Sequence, residues 1–355
     1  MFERLNAIDI GSCYIKIASG RKKMNGSIDL RSVDIVGTPP GLIEDGVITN
    51  PQLLADSLRK PINRLVRFSQ ETILTVESSR IITRDILVPK VPTKDLERMM
   101  QMEAENHLPV GRGDHIVDYK VIDEIPPPMP GEAAQYKVML VALPIDISNR
   151  YAEFLSCSGL NCYSIDFSGN SLAKQVTTEM KEKDLTTVIL DIGHKSTSAT
   201  MMSNGRFQFF RSFPFGGEMM TRSIADRLAL GMEAAESLKK EYGLAGDETA
   251  LDGHGLHVSA AIQDVLNPFL HNLASYFEFY VSREAGNAID KIVLTGGGSL
   301  MKNIESYVMK TFNIETTKHK RKVPLGGKKS GSAKVSKSQR KEVGAYFANC
   351  LGAIK

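Results

Sequence analysis

The tightest constraint on this 355-residue chain is an internal repeat. The segment Leu5-Asn-Ala-Ile-Asp-Ile-Gly-Ser12 returns as Val188-Ile-Leu-Asp-Ile-Gly-His-Lys195, which puts Asp9 and Asp191 182 positions apart, and Gly11 and Gly193 likewise. In each copy an apolar run ends in Asp-Ile-Gly. A few polar residues and a second run follow, Tyr14-Ile-Lys-Ile-Ala18 or Ser198-Ala-Thr-Met-Met202. Apolar runs bounded by glycine or small polar residues read as hairpin strands. Gly20 and the pair Asn204-Gly205 are expected to close each hairpin at a turn. A half-chain repeat predicts two related lobes.

An Asp-x-Gly at a strand end has a chemical use. Glycine lets the backbone approach a phosphate closely and adopt turn dihedrals closed to other residues. The carboxylate can hold hydrated Mg²⁺, which keeps waters and few protein ligands. Ser12, Ser196 and Thr197 add hydroxyls, and Lys16 and Lys195 add positive charge. Two such loops face to face would grip a polyphosphate, although one copy alone reads equally well as a strand-turn carboxylate. A third glycine element follows the strand-like run Ile289-Asp-Lys-Ile-Val-Leu294, namely Thr295-Gly-Gly-Gly-Ser299, before a helical pattern from Leu300 to Met309. Strand, glycine loop and helix place backbone N–H groups beside a nucleotide. The spacing is neither a Walker loop nor a Gly-x-Gly-x-x-Gly fingerprint.

Composition narrows the class. With 42% hydrophobic residues the chain can bury a large core. The start Met1-Phe-Glu-Arg lacks the apolar segment of a signal peptide, and no run reaches the roughly 18 apolar residues that span a bilayer. Cys13, Cys157, Cys162 and Cys350 show no Cys-x-x-Cys spacing and read as reduced thiols. A cytoplasmic protein is expected. Net charge is +3, but residues 318–341 carry ten Lys or Arg and no acid, leaving a formal −7 elsewhere. This Gly- and Ser-rich basic loop is either a solvated surface segment or an electrostatic tether to an anionic membrane. No aromatic residue interleaves its charges to stack on bases, so nucleic acid is not expected as a partner.

The three glycine elements, in this order along nearly the whole chain, resemble the phosphate-1, phosphate-2 and adenosine motifs of actin, the sugar kinases and the bacterial division protein FtsA. The resemblance implies an α/β, actin-like fold of duplicated ribonuclease H-like lobes with ATP and Mg²⁺ in the cleft between them. Position by position, Asp9 and Asp191 would be the Mg²⁺-associated aspartates, acting through water. Gly11, Ser12 and Lys16 would make phosphate-1 contacts, and Gly193, Ser196 and Thr197 phosphate-2 contacts. Gly296, Gly297, Gly298 and Ser299 would form the adenosine loop. The helical stretch 234–243 resembles the superfamily's nucleoside-side Glu-x-x-Lys segment, with Glu236 and Lys239 as contacts and Lys240 adjacent. The same pair reads equally as an i,i+3 ion pair on a wet helix face. His194 stands where actin has Asp.

Residues 75–150 choose the branch. A strand (80–89) leads to a helix after Pro92, with Thr93 as N-cap and Pro109 as its stop. Leu96, Met99, Met100 and Ala104 share one face of that helix. Strands at 116–122 and 136–142 follow, flanking the proline-rich loop 126–131. Met99, Met100 and Met102 either fill the core of this module or line a groove for a peptide, to which Arg80 and Arg84 would add hydrogen bonds. Thr38-Pro-Pro-Gly-Leu-Ile-Glu-Asp-Gly46, Val88-Pro-Lys-Val-Pro92, Met102-Glu-Ala-Glu-Asn-His-Leu-Pro109 and Phe213-Pro-Phe-Gly-Gly-Glu218 are similar to the PilM family of type IV pilus assembly proteins. That resemblance implies an FtsA-like module in place of an actin subdomain and a cleft beside it for the cytoplasmic N-terminal tail of PilN. It also implies a position near other platform proteins and assembly ATPases, at the inner face of the cell membrane.

The expected organisation is lobe 1 begun by 1–75, the inserted module at 76–150, the return to lobe 1 and the lobe connection at 151–187, and lobe 2 over 188–355. Hydrolysis also needs a group that orients water in line with the γ-phosphate. Actin's Gln on the lobe connection corresponds to the region of residues 166–171, where Asp166 or Asn170 would have to serve. ATP is therefore expected to act as a structural or switching ligand with slow turnover. The alternative is an FtsA-like, membrane-associated, polymerising division protein. The closing stretch 343–355 is apolar and rich in small residues, and is expected to pack back on the body rather than lie on a membrane.

Overall fold

A computed structural model describes residues 4–24, 27–67, 69–108, 113–127, 129, 131, 133–179, 184–246, 252–283, 287–319 and 346–355. Two five-stranded sheets with the same strand order form its frame. The first contains β1 (Leu5–Ile10), β2 (Tyr14–Lys22), β3 (Ile28–Gly37), β6 (Glu71–Val76) and β10 (Asn161–Phe167) in the order β3-β2-β1-β6-β10. The second contains β11 (Thr186–Ile192), β12 (Thr197–Ser203), β13 (Arg206–Phe213), β14 (Lys291–Thr295) and β15 (Glu315–Lys318) in the order β13-β12-β11-β14-β15. In each, three antiparallel strands are extended by two parallel ones. The repeat holds through the hairpin: Asp9 pairs with Lys16 on β2 and Thr75 on β6, while Asp191 pairs with Ser198 on β12 and Thr295 on β14. Nearly every residue of β1 and all of β11 are buried, as central strands covered on both faces require.

Helices cover both sheets. In lobe 1, α1 (Pro51–Ser57), α2 (Arg59–Leu65), α4 (Ile145–Ser158) and α5 (Ser168–Glu179) enclose a core with Ile8, Leu54, Leu74, Tyr151 and Phe154. In lobe 2, α6 (Gly217–Leu228), α7 (Met232–Tyr242), α8 (Gly253–Arg283) and α9 (Ile304–Phe312) pack on β11–β15. The 31-residue α8 buries Val258, Ile262, Phe269, Leu273 and Phe277 along one stripe. Between β6 and α4, strands β7 (Ile82–Pro89), β8 (His115–Ile125) and β9 (Gln135–Pro144) make a three-stranded sheet, β7-β9-β8, capped by α3 (Thr93–His107). A short β4–β5 hairpin (Ile43–Glu44, Val47–Ile48) precedes α1.

Several local expectations shift. Gly20 lies within β2 at a register shift beside Ser19, so the strand runs through it to Lys22. The Asn204-Gly205 turn forms, with φ 52° and 71° as a tight antiparallel hairpin demands. The helix expected from Leu300 is split: a 3-10 turn spans Gly297–Leu300 and α9 starts only at Ile304, after Asn303 in the left-handed region. Thr93 is the first residue of α3, and Pro92, which has no side-chain donor or acceptor, holds the cap position. Pro109 lies outside the described residues, as do residues 320–341 of the basic loop.

The last described helix, Ala348–Ile354, has all seven of its residues buried and packs with Phe347 on the lobe 1 sheet against Ala7, Ala18, Leu30 and Ile73. Burying a side chain such as Leu351 contributes about 2 kcal/mol. It also runs against α5, the segment that leads from lobe 1 to lobe 2. There Gly352 has no room for a Cβ, which would stand 1.7 Å from the Ser171 carbonyl oxygen. Backbone cannot yield as a side chain can, so Gly352→Ala is expected to cost about 3 kcal/mol or more. A clear drop in the urea unfolding midpoint would show it; an unchanged midpoint would mean the two segments are not in contact.

Candidate functional site

The two Asp-Ile-Gly turns meet between the sheets. In both, the glycine N–H donates to a carbonyl three residues on: Gly11 to Tyr14 at 3.2 Å, Gly193 to Ser196 at 2.9 Å. A Cβ at either glycine would press on that same carbonyl, at 2.9 and 2.7 Å. Asp9 and Asp191 close the strands and are both 7% exposed. Asp9 is held by Lys16 Nζ at 3.0 Å and by the Thr75 hydroxyl at 3.0 Å. Asn349 Nδ2, from the last helix, lies 3.4 Å from Asp9 Oδ2 and 3.2 Å from Asp191 Oδ2. One amide thus links the aspartates of the two lobes.

The electrostatics follow from burial. Desolvation alone would lower Lys16, but Asp9 and Asp191 outweigh it and raise its pKa. Burial pushes Asp191 up to about 6, with Lys16 opposing and Asp9 adding. A third carboxylate stands nearby. Glu77, just past β6, accepts from Ser212 Oγ of β13 at 3.1 Å and from Ser196, and so reaches from lobe 1 to lobe 2. Burial and the Asp191 charge push Glu77 up to about 8, although the two serines favour its ionised form.

The third glycine loop docks on the second turn. Gly296 has φ 78°, and a Cβ there would sit 2.3 Å from Asp191 Oδ1, while one at Gly298 would strike Ile192. Ser299 is fully buried and donates from its hydroxyl to the Gly296 carbonyl at 2.7 Å, closing the loop rather than facing the cleft. Glu236 and Lys239 join the same assembly. Lys239 Nζ donates to Glu236, to Thr221 Oγ1 at 2.6 Å and to the Gly217 carbonyl at 2.8 Å, and Gly217 N–H donates to Gly193 O at 3.0 Å. Lys240 meets the other Glu236 oxygen at 3.2 Å. Burial works against the charged Glu236, yet the bonds from Lys239 and Thr221 hold its pKa below the usual value. These charges reach across the cleft: burial and Glu236 push up the Cys13 thiol of the first turn, while Lys16, Lys240 and Lys239 pull it down.

Ser12 and Ser196 lie half-buried in their turns. Three other candidate residues face elsewhere. Thr197 is fully buried and its hydroxyl donates to Phe215 O at 2.7 Å, a bond that ties β12 to the start of α6. Lys195 is exposed. Asp166 accepts from Asn170 at 2.8 Å, Ser171 at 2.9 Å and Lys174 at 3.0 Å, so its carboxylate anchors the first turns of α5 and is not poised to orient water. Met100 is 3% exposed and Met99 packs beside it in the core of the three-stranded unit, which rules out a methionine groove on that face; Met102 points to solvent. Arg80 is engaged by both Asp146 oxygens, at 2.7 and 2.9 Å.

The residues present fit a hydrated divalent cation with a polyphosphate. Two buried carboxylates are bridged by one amide, and the glycines beside them leave no room for a Cβ. The Asn349 Oδ1 is buried without a hydrogen-bond partner among the described residues. Sequence reading missed Glu77, Asn349 and Thr75, because none lies in a glycine motif. The only available signal was a polar residue inside the otherwise apolar closing stretch.

Duplicated sheets with this cleft between them define the actin-like ATPase fold. A solved structure described as a PilM-PilN type IV pilus biogenesis complex superposes with a TM-score of 0.81 at 23% identity, covering 99% of this chain and 97% of that one. The ethanolamine utilization protein EutJ of Carboxydothermus hydrogenoformans follows at 0.57 and 11% identity, over 99% of this chain and 89% of that one. MreB5 of Spiroplasma citri bound to ADP gives 0.51 and 14% identity, over 89% of this chain and 91% of that one. Among curated proteins, FtsA of Neisseria meningitidis is 22% identical over 87% of this chain and 82% of its own length. The chain belongs to the family described as Type IV pilus assembly protein PilM, which matches residues 7–321.

Glu77 sets a pH dependence. Its folded pKa is raised, so its contribution to stability is full below its ordinary value of 4.5 and is lost as the pH rises to about 8. Glu77→Gln mimics the protonated form. Its melting temperature is expected to exceed that of the unmodified chain at pH 8–9, by about 2–4 °C for each kcal/mol gained, and the gain should vanish toward pH 4.5. Parallel melting curves across this range would show that Glu77 is not buried between the lobes.

Proposed function

We propose that this chain is an ATP-binding adaptor of the type IV pilus assembly platform, which loads ATP with Mg²⁺ between its lobes and holds the N-terminal tail of PilN. The observation that carries the reading is the pairing of Asp9 and Asp191 across one buried amide, between glycine turns of identical form. Gly11 and Ser12 from one side, and Gly193 and Ser196 from the other, would face the phosphates. Gly296 to Gly298 would meet the nucleoside, and Asp9 and Asp191 would hold Mg²⁺ through water. The bound ion would supply charge neutralisation for the phosphates. Lys16, bonded to Asp9 at 3.0 Å, orients it for that task.

ATP serves here as a structural or switching ligand with slow turnover, because Asp166 is taken up by three donors at the head of α5. For the PilN tail the reading is supported by a cavity of about 400 Å³ where β8 of the three-stranded unit faces α5 and the β12–β13 hairpin. Lys120 and Ile122 line it from β8, Lys174 from α5, and Met202 and Phe207 from the hairpin. Apolar walls beside lysine donors suit an extended peptide, whose carbonyls need partners. Through that tail the protein would sit at the inner face of the cell membrane beside other platform proteins and the assembly ATPases. The described residues contain no helix long and apolar enough to cross a membrane. The helix Ala348–Ile354 is buried on lobe 1 and so offers no apolar face to a membrane itself.

Two experiments test the two halves. Titration calorimetry with ATP and Mg²⁺ should show saturable binding that Asp191→Ala weakens by about tenfold or more, some 1.4 kcal/mol; equal binding by both would remove Asp191 from the site. A peptide of the PilN N-terminal tail should be retained by the unmodified protein and lost with Lys120→Glu. Retention by both would place the tail elsewhere.

A further inference from the structure

Asn349 and Tyr346 come from a segment that follows the adenosine loop by some fifty residues, yet both stand in the cleft. Asn349 donates toward Asp9 and Asp191 at once. One helical turn earlier, the Tyr346 ring lies against Gly297, where a Cβ would be 3.2 Å from it, and meets Tyr14 edge-on at 6.1 Å between centroids. Next to Asn349, Cys350 Sγ approaches the Lys16 carbonyl at 3.4 Å. One turn of helix thus touches the first phosphate turn, both aspartates and the adenosine loop.

We propose that Asn349 is a positioning residue: it sets the spacing of Asp9 and Asp191 in the nucleotide-free cleft and passes loading of that cleft to the last helix. Its second half rests on the nucleotide reading; its first does not. Two buried carboxylates on separate lobes repel each other, and Lys16 makes its bond to Asp9 only. An amide NH₂ carries two donors and no charge, so one side chain can serve both carboxylates without adding a desolvated ion. The Glu77 bonds to Ser196 and Ser212 tie the lobes on another side of the same cluster.

Asp9 and Asp191 would hold a hydrated cation, which would supply charge neutralisation there and compete with the Asn349 amide for their oxygens. The Asn349 Oδ1, buried without a partner among the described residues, is the acceptor this side chain has free. Asn349 belongs to a helix pressed on α5, where the Gly352 backbone lies too close to Ser171 O to admit a Cβ. A change at Asn349 is therefore carried to the contact of this helix with α5. In the sequence, the basic stretch 318–341 leads directly into this helix.

Hydrogen–deuterium exchange on the full chain, compared with Asn349→Ala and the smaller change Asn349→Ser, tests both halves. Without nucleotide, exchange at the ends of β1 and β11 should quicken by about threefold or more in both variants, while the α8 core keeps its protection. Unchanged exchange at both strand ends would overturn the tie. With ADP and Mg²⁺ added, residues 346–354 of the unmodified chain should change their exchange. The variants, at ADP and Mg²⁺ concentrations that calorimetry shows to saturate them, should lose that response. A response retained in the variants would overturn the coupling. If the unmodified chain binds no ADP with Mg²⁺, the nucleotide reading fails by itself, the coupling falls with it, and the nucleotide-free comparison alone judges the tie.

Discussion

Two like charges buried within reach of each other are the condition to which the rest of this fold answers. Asp9 and Asp191 end the central strands of two separate sheets, and each is almost wholly removed from water. Left alone they would neutralise or drive the lobes apart. Lys16 answers for one of them and an amide for both, while burial still pushes Asp191 up to about 6. In the proposed function, a cation taken up there would offset both charges. The cost of burying both carboxylates is what a hydrated metal and a polyphosphate would relieve.

Everything near the cleft is built to hold that geometry with backbone instead of long side chains. Gly193 and Gly217 join the second turn to α6, Lys239 and Glu236 brace α6 from α7, and Gly296 and Gly298 press on Asp191 and Ile192. On the far side, Ser171 and Gly352 bring α5 and the last helix into backbone contact. The tight glycines and the paired carboxylates therefore belong to one unit, and the three-stranded sheet of β7–β9 is attached to it as a separate layer with its own core.

Much of this was legible because the repeat is local in sequence. Asp9 and Asp191, their following glycines and the loop Gly296–Gly298 each occupy a strand end with a turn, and hairpin periodicity marks such places. Family resemblance then supplied the actin-like fold. Residues whose role depends on distant chain returning to the cleft were not legible. Asn349 sits in a small-residue helix whose purpose looks like packing alone, and Glu77 follows an ordinary apolar strand. Asp166 is a different case: its place on the lobe connection was readable, and the three donors that engage it come from the next turns of α5. The long α8, with its stripe from Val258 to Phe277, went unremarked because it carries no motif, although its spacing was available.

A crystal structure grown with a non-hydrolysable ATP analogue and Mn²⁺ in place of Mg²⁺ is the most direct test. The account predicts an anomalous peak between Asp9 and Asp191, with phosphates against the turns at Gly11 and Gly193 and the base beside Gly296 to Gly298. A cleft without ligand density at saturating analogue, with Asn349 still spanning the two aspartates, would contradict it.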